Sequence, residues 1–402
     1  MSDKISYSCH GDIAILTVQN PPVNALSQPV RQGLWDGMDR AEAEQGIRAI
    51  MIVGEGRAFF AGADITEFGK PPLKPHLPDL INRIESSPLL IVASMHGVSL
   101  GGGLEVALGC HYRIAVPTAC VGLPEVHLGL LPGAGGTQRL PRLAGVIAAL
   151  ELMTTGRHVD AEEGHKLGII DKIQDGDPNL NGIAYTQKLL DQNTPRRPVS
   201  DMPAPEKINW DEAFEKALKS GRGQISPAWC VRAVQASVEK PFEEGLEAER
   251  QIFYDLMQTE QRQGMIHAFF SQRAVSNLPE LKGITPRPLK NIALIGGGTM
   301  GAGIATSALL SGLNVTVLEM NKHATQAAFD RIENNLSGAK KRGKIDSQQY
   351  ENIVNHSLNL VTDYGKLSDM DLVIEAVFEE MAVKKRVFEE LDRICKPGTI
   401  LA

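Results

Sequence analysis

Ser99–Gly109 reads SLGGGLEVALG. Glycines are poor helix formers, each costing about 1 kcal/mol relative to alanine in a helix interior. Yet Leu104–Leu108, directly after the three glycines, has the composition of a helix start, with Glu105 in its first turn. Glycines at such a junction leave backbone N–H groups uncovered. A helix start adds its own unpaired N–H groups and the positive end of its dipole. The pattern predicts main-chain donors offered to a ligand oxygen. Glu105 has two readings on these residues alone: an acid that complements the dipole, or a group that moves protons.

The surroundings sharpen this. Residues 57–68, RAFFAGADITEF, come about forty residues earlier, and residues 121–145, VGLPEVHLGLLPGAGGTQRLPRLAG, follow. Both combine small residues with a turn. Two N–H groups from separate turns, one of them at a helix start, form a hole for a developing oxyanion. Glu125 lies twenty residues after Glu105. Two carboxylates beside one such hole can divide acid and base roles if their surroundings separate their pKa values.

The chain has 402 residues, 43% of them hydrophobic and 22% charged, which implies two or three globular domains. A net charge of −7 with no basic cluster disfavours a nucleic-acid partner. Five scattered cysteines without a Cys-x-x-Cys pair fit a reducing compartment rather than a disulfide framework. The N-terminal residues do not read as a signal peptide, and no run of eighteen apolar residues predicts a membrane span. Residues 13–18, 47–54, 89–100, 111–116 and 168–173 read as strands separated by helices, the first over 28–46, so an α/β layered domain is expected. Proline-rich residues 194–210 mark a boundary, and Trp210 to about Ala274 reads as helical. A second linker, NLPELKGITPRPLK, precedes a new pattern at Lys290.

That pattern, KNIALIGGGTMGAGIATSALLSGLNVTVLEMN, is a strand, a glycine turn, a helix and a strand. Gly296, Gly298 and Gly301 match G-x-G-x-x-G, and Glu319 ends the second strand where an acid would accept from a ribose 2′-hydroxyl. The glycines let a pyrophosphate approach the helix start, and the acid favours NAD over NADP.

AFFAGADI, GVSLGGGLEVALGCHYRIA and GLPEVHLGLLPGAGGTQRLPRLAG closely resemble the enoyl-CoA hydratase/isomerase (crotonase) family, over about Ile13 to Leu190. The glycine-turn segment, together with DLVIEAVFEEMAVKKRVFEEL, resembles the NAD-binding domain of 3-hydroxyacyl-CoA dehydrogenases. Their order is similar to that in the peroxisomal type of multifunctional fatty-acid β-oxidation enzymes and their bacterial relatives. The resemblance implies an α/β chain: a crotonase-type ββα spiral domain over 1–195, a helical linker over 196–285, and an incomplete Rossmann-type NAD-binding domain over 286–402.

The resemblance also implies roles. Ala63 and Gly102 would supply the oxyanion-hole amides for a CoA thioester, with Ala61, Asp64 and Ile65 near the CoA and Gly133 in a loop shaping the pocket. Glu125 would exchange the proton at the α carbon, and Glu105 would orient the water that attacks the β carbon. Gly296, Gly298, Thr299, Met300, Gly301 and Glu319 would hold NAD, with Glu375 and Lys384 or Lys385 nearby. The expected activity is hydration of 2-trans-enoyl-CoA, with Δ3-Δ2-enoyl-CoA isomerisation as a second activity or as the main one. A CoA- and NAD-binding scaffold without turnover is the reading from another class. The chain is expected to stop short of the dehydrogenase's catalytic residues, so that it would hydrate but not oxidise. The final strand would then leave an open sheet edge. A bacterial cytoplasm or a peroxisome is the expected location. The oligomeric state is left open.

Other residues take structural readings. His96, His111 and His127 lack metal-ligand spacing, so no metal is expected. Arg139 and Arg142 read as helix-capping rather than CoA-binding, and EKPFEEGLEAERQIF reads as a solvated helical face.

Overall fold

The computed structural model describes residues 2–67, 69–275 and 278–402. The chain forms two compact units, Met1–Pro279 and Glu280–Ala402.

The first unit is built on a six-stranded sheet. The hairpin Ile5–His10 and Ile13–Val18 is antiparallel. Ala49–Gly54, Leu90–Met95, Tyr112–Ala115 and Lys172–Ile173 then add in parallel, in that order. Ala49–Gly54 and Leu90–Met95 are buried at every position, as befits a parallel sheet covered on both faces. Alternation divides the strands between two cores. Leu16, Ile52 and Ala93 face a large core with Leu34, Met38 and Leu104. Ile15, Met51 and Val92 face a smaller one with Leu189 and Leu190, from the helix Pro178–Asp191.

A small second sheet joins Val98–Leu100, Cys120–Gly122 and Val159–Asp160, and Phe60 bridges onto Ser99. Residues 89–100, expected as one strand, are therefore two strands in different sheets. The chain turns at His96–Gly97, where His96 O accepts from Phe59 N at 2.9 Å. A side chain at Gly97 would meet Arg57 O at 2.0 Å. Successive passes thus place one strand in the large sheet and the next in the small one before a helix returns the chain. This brings residues 60–63, 99–105 and 120–125 together.

Four helices follow: Trp210–Gly221, Ser226–Glu239, Phe242–Met257 and Glu260–Val275. Trp210, Cys230, Val234 and Leu256 from the first three lie in the same core as Leu34 and Leu104.

The second unit is a parallel five-stranded sheet ordered Leu358–Val361, Asn314–Leu318, Asn291–Ile295, Leu372–Glu375, Ile400–Leu401. Ile292 and Leu294 pack against the helices Thr299–Leu310 and Lys322–Lys341. Ala293 and Ile295 pack on the opposite face with Val387 and Leu391 of Met381–Ile394. Helices on both faces and a strand order that reverses beside the first strand define a doubly wound sheet. Ile400–Leu401 is an edge strand, pairing only with Leu372–Val373 among the described residues.

Gly103 is the tightest point of the triple-glycine turn, residues 101–103. A methyl group there would lie 2.2 Å from Phe60 O and 2.7 Å from Phe60 Cβ. Gly103→Ala should destabilise this unit by about 1–3 kcal/mol. The chain's three tryptophans, Trp35, Trp210 and Trp229, all lie in this unit. Urea unfolding followed by tryptophan fluorescence therefore reads it alone, and an unchanged midpoint would contradict the close packing.

Candidate active site

The glycine turn begins as Val98–Leu100 ends, with Leu100 opposite Gly122. Gly101 has φ 52° and ψ −129°, which a side chain would strain. Its N–H donates to Gly122 O at 2.9 Å. The helix is Gly102–Gly109, so it starts within the triple glycine, not after it as the sequence suggested. The reason is steric: Gly103 packs against Phe60, and helix propensity gives way to that contact.

Across the gap, Leu26 N donates to Gly62 O at 2.9 Å and Leu26 bridges Ala63. This pairing does not use the Ala63 N–H. Neither Ala63 N nor Gly102 N donates to a partner among the described residues. They are neighbours: a methyl on Gly102 would stand 3.3 Å from Ala63 N.

Two acids adjoin these amides. Glu105 is buried at 3% exposure, and its Oε1 accepts from Ala134 N and Gly136 N, each at 2.8 Å. Glu125 opens the short helix Glu125–Leu128. Its Oε1 lies against the glycine turn, 2.9 Å from where a Gly101 side chain would begin, and its buried Oε2 takes no hydrogen bond among the described residues. Burial raises the pKa of both acids. For Glu105 the two N–H donors and Arg139 oppose the rise. For Glu125 the charges of Glu105 and Glu249 add to it, and Glu125 is pushed well above the usual carboxylate range. The two acids thus have unlike surroundings: one is fixed by N–H donors of another loop, while the other is met only by its own backbone N–H, leaves Oε2 without a partner and is disposed to hold a proton.

A third acid, Glu249, escaped the sequence reading. Its helix, Phe242–Met257, is not a uniformly solvated face: Gly245, Glu249 and Leu256 are buried. Glu249 accepts from Gly135 N at 2.6 Å, Thr137 N at 2.9 Å and Thr137 Oγ1 at 2.5 Å. Burial, then the Glu105 charge, raises its pKa.

The remaining residues named from the sequence fall as follows. Ala61 N donates to Val23 O at 3.0 Å. Asp64 Oδ1 accepts from Thr66 N and Oγ1 at 3.0 and 2.7 Å, closing its own turn beside Ile65, the first residue of a short helix. Gly133 lies under the Phe253 ring, which a side chain would strike at 2.4 Å. Arg139 forms a buried ion pair with Glu85 at 2.6 Å, and Arg142 donates to Gln138 O at 2.7 Å. Among the described residues no histidine, cysteine and acid cluster suits a metal ion.

In the second unit, Gly296 has φ +95° where the first strand turns toward the helix. A methyl group on Gly301 would meet Gly296 O at 1.9 Å, so the helix packs hard on that turn. Gly298, by contrast, caps the helix Thr299–Leu310 and has open space where a side chain would be. An uncovered helix start of this form suits a pyrophosphate. Met300, beside Thr299, is exposed. Glu319 stands at the end of the second strand, with Oε1 accepting from Gly297 N at 2.6 Å. Glu375 accepts from Val377 N at 2.7 Å and pairs with Lys384 at 2.9 Å, and Lys384 also reaches Glu379 at 3.0 Å. The turn, the open helix start and the acid together fit a dinucleotide.

Residues 9–193 match the family model "Enoyl-CoA hydratase/isomerase", and residues 291–402 match "3-hydroxyacyl-CoA dehydrogenase, NAD binding domain". The chain joins a member domain of the enoyl-CoA hydratase/isomerase family to an NAD-binding domain of the 3-hydroxyacyl-CoA dehydrogenase family. Across both domains it is similar to the peroxisomal bifunctional enzyme of Danio rerio, at 42% identity over 97% of this chain and 54% of that protein. The Homo sapiens protein of that name is 39% identical, over 98% of this chain and 55% of the relative. The glyoxysomal fatty acid beta-oxidation multifunctional protein MFP-a of Cucumis sativus is 36% identical, over 97% and 56%. The chain therefore spans about half the length of these relatives. A crystal structure of an enoyl-CoA hydratase/isomerase from Pseudoalteromonas atlantica shares the hydratase/isomerase domain's fold, with TM-score 0.51 and 24% identity over 67% of this chain and 98% of that one.

The raised Glu125 pKa has a measurable consequence. The folded chain keeps a proton that the unfolded chain releases above about pH 4.3. The Glu125 contribution to stability therefore falls as pH rises from that value through the folded one. His111, lowered to about 4 by burial, acts in the opposite sense between its folded and unfolded values. Comparing wild type with Glu125→Gln cancels the histidine. The stability of the variant relative to wild type should grow as pH rises above about 5. A pH-independent difference in urea unfolding would refute the shift.

Proposed function

We propose that the first unit hydrates 2-trans-enoyl-CoA thioesters to 3-hydroxyacyl-CoA in fatty-acid β-oxidation. The observation that carries this reading is the pair of unpartnered amides, Ala63 N and Gly102 N, beside Glu105 and Glu125. In this reading the thioester oxygen accepts from both N–H groups, and negative charge that develops there is stabilised without reorganisation. Glu105, held through Oε1, orients a water and takes its proton as the oxygen bonds to the β carbon. Glu125 delivers a proton to the α carbon, a role suited to an acid kept protonated by burial. One C–O and one C–H bond form, and the C=C π bond is lost. The CoA portion would run along Ala61, Asp64 and Ile65, with Gly133 in the pocket loop.

Δ3-Δ2-enoyl-CoA isomerisation is the second reading, since Glu125 alone can move a proton between the α and γ carbons of one enolate. Having both acids favours hydration, which also needs a positioned water. The same acids argue against a scaffold without turnover.

For the second unit the reading is NAD binding through Gly296, Gly298, Thr299, Met300, Gly301 and Glu319, with Glu375 and Lys384 close by. Bound NAD would accept hydride from a 3-hydroxyacyl-CoA, the product of the first unit, in the longer proteins this chain resembles. A peroxisome or glyoxysome, the compartments in the relatives' names, is the proposed setting, and a bacterial cytoplasm is the alternative. No helix among the described residues is long and apolar enough to cross a membrane.

Glu125→Gln should lower both hydration and isomerisation by about 10²–10⁴-fold, whereas Glu105→Gln should lower hydration far more than isomerisation. Steady-state assays with crotonyl-CoA and a 3-enoyl-CoA check this, and unchanged rates in both variants would defeat the assignment. Gly298→Val should weaken NADH binding, followed by its fluorescence, at least about tenfold, or about 1.4 kcal/mol. Unaltered affinity would place the dinucleotide elsewhere.

A further inference from the structure

Four successive backbone N–H groups open the helix Gly136–Ala144, and two buried carboxylates share them alternately. Ala134 N and Gly136 N donate to Glu105. Gly135 N and Thr137 N donate to Glu249. One carboxylate would suffice to cap a nine-residue helix. Here the second comes from more than a hundred residues further along the chain, on the helix Phe242–Met257.

That helix grips the same loop at other points. Gly133 lies under Phe253, and Gly245 comes against Gln138 Oε1. Gln138 Nε2 in turn donates to Thr137 Oγ1 at 2.8 Å and Ala233 O at 3.0 Å. The backbone of residues 134–137 is thus held on one side by Glu249 and offers its other N–H groups to Glu105. If the Glu249 side slackens, the donors that orient Glu105 move with it.

We propose that Glu249 is a positioning residue for hydration: it fixes the Gly135–Thr137 backbone so that Ala134 N and Gly136 N hold Glu105 in its water-orienting pose. The inference rests on the reading of Glu105 given above. Glu249 does not touch the substrate in this account: its hydrogen bonds act on the reaction through the backbone that holds Glu105, and its charge bears on Glu125 as a separate, smaller influence.

The test is steady-state hydration of crotonyl-CoA by wild type, Glu249→Gln, Glu105→Gln and the double variant. Gln keeps the volume but puts an NH2 group against one N–H donor. A displacement of about 1 Å at such a group costs on the order of 10²-fold in rate. Glu249→Gln should therefore lower kcat by about 10- to 100-fold with KM within about threefold. In the Glu105→Gln background the same change should cost almost nothing, because the group it positions is already gone. Thr137→Val removes one of the bonds to Glu249 and should lower kcat several-fold in the same selective way. It also keeps the inference open to refutation if Glu249→Gln does not fold by tryptophan fluorescence. An unchanged kcat, a loss confined to KM, or an equal loss in both backgrounds overturns the inference while leaving hydration assigned. A wild-type chain without hydratase activity overturns both.

Discussion

A carboxylate withdrawn from water is costly unless hydrogen-bond donors replace the water around it. In the first unit the replacement is main-chain N–H, supplied by one helix start. The loop Leu131–Gly135 and the helix Gly136–Ala144 are buried for most of their length. Their leading N–H groups would be costly orphans without acceptors. Glu105 and Glu249 resolve both problems at once: the acids satisfy the amides, and the amides make the acids tolerable. The arrangement also explains why the two helices carrying these acids, Gly102–Gly109 and Phe242–Met257, belong to one unit.

The opposite economy holds around Glu125 and the amides of Ala63 and Gly102. Here Glu125 Oε2 and two main-chain N–H groups are left without partners among the described residues, close to one another. Buried backbone donors are rarely orphaned, so such a cluster needs a reason, and a ligand that brings its own acceptor supplies one. Glu125 lacks the donors that Glu105 has, which is why burial and neighbouring charge dominate its pKa. The same few residues thus contain one acid made rigid by donors and one whose proton is favoured by burial.

What the sequence made legible follows from how local each cause is. The buried parallel strands and the strand–turn–helix of the second unit have short-range signatures and stand broadly where the patterns indicated, although the helix Gly102–Gly109 starts inside the triple glycine and the strand expected over 168–173 narrows to Lys172–Ile173. Ile5–His10 was not anticipated, because a strand exposed at most positions carries little apolar alternation beyond Ile5 and Tyr7. The break at Gly97 was invisible for a different reason: both halves are apolar, and what marks the turn is a single glycine at φ +54° packed against the Arg57 carbonyl. Glu249 sits among Glu243, Glu244, Glu247 and Arg250, so it looks like one more surface charge. A signal was present in the spacing of Gly245, Glu249, Ile252, Phe253 and Leu256, which places Glu249 in the middle of a buried stripe. What the spacing lacks is the partner, since nothing local to residue 249 indicates Gly135 or Thr137.

Both units have a glycine-lined helix start, and the two differ in where the acids stand. At Gly101–Gly103 the neighbouring carboxylates are buried within a turn or a strand of the open amides. A permanently charged anion would meet their repulsion there, whereas a neutral carbonyl acquires charge only as it reacts. At Gly296–Gly301 no acid follows in the first turn of the helix. Glu319 instead stands at the end of the next strand with one oxygen bound to Gly297 N. That leaves the helix start electrostatically open to a phosphate, and in the proposed reading the acid at the side would meet a sugar hydroxyl. In the proposed reading the same backbone device would therefore serve a reacting thioester in one unit and a standing negative charge in the other, according to where the glutamates are attached.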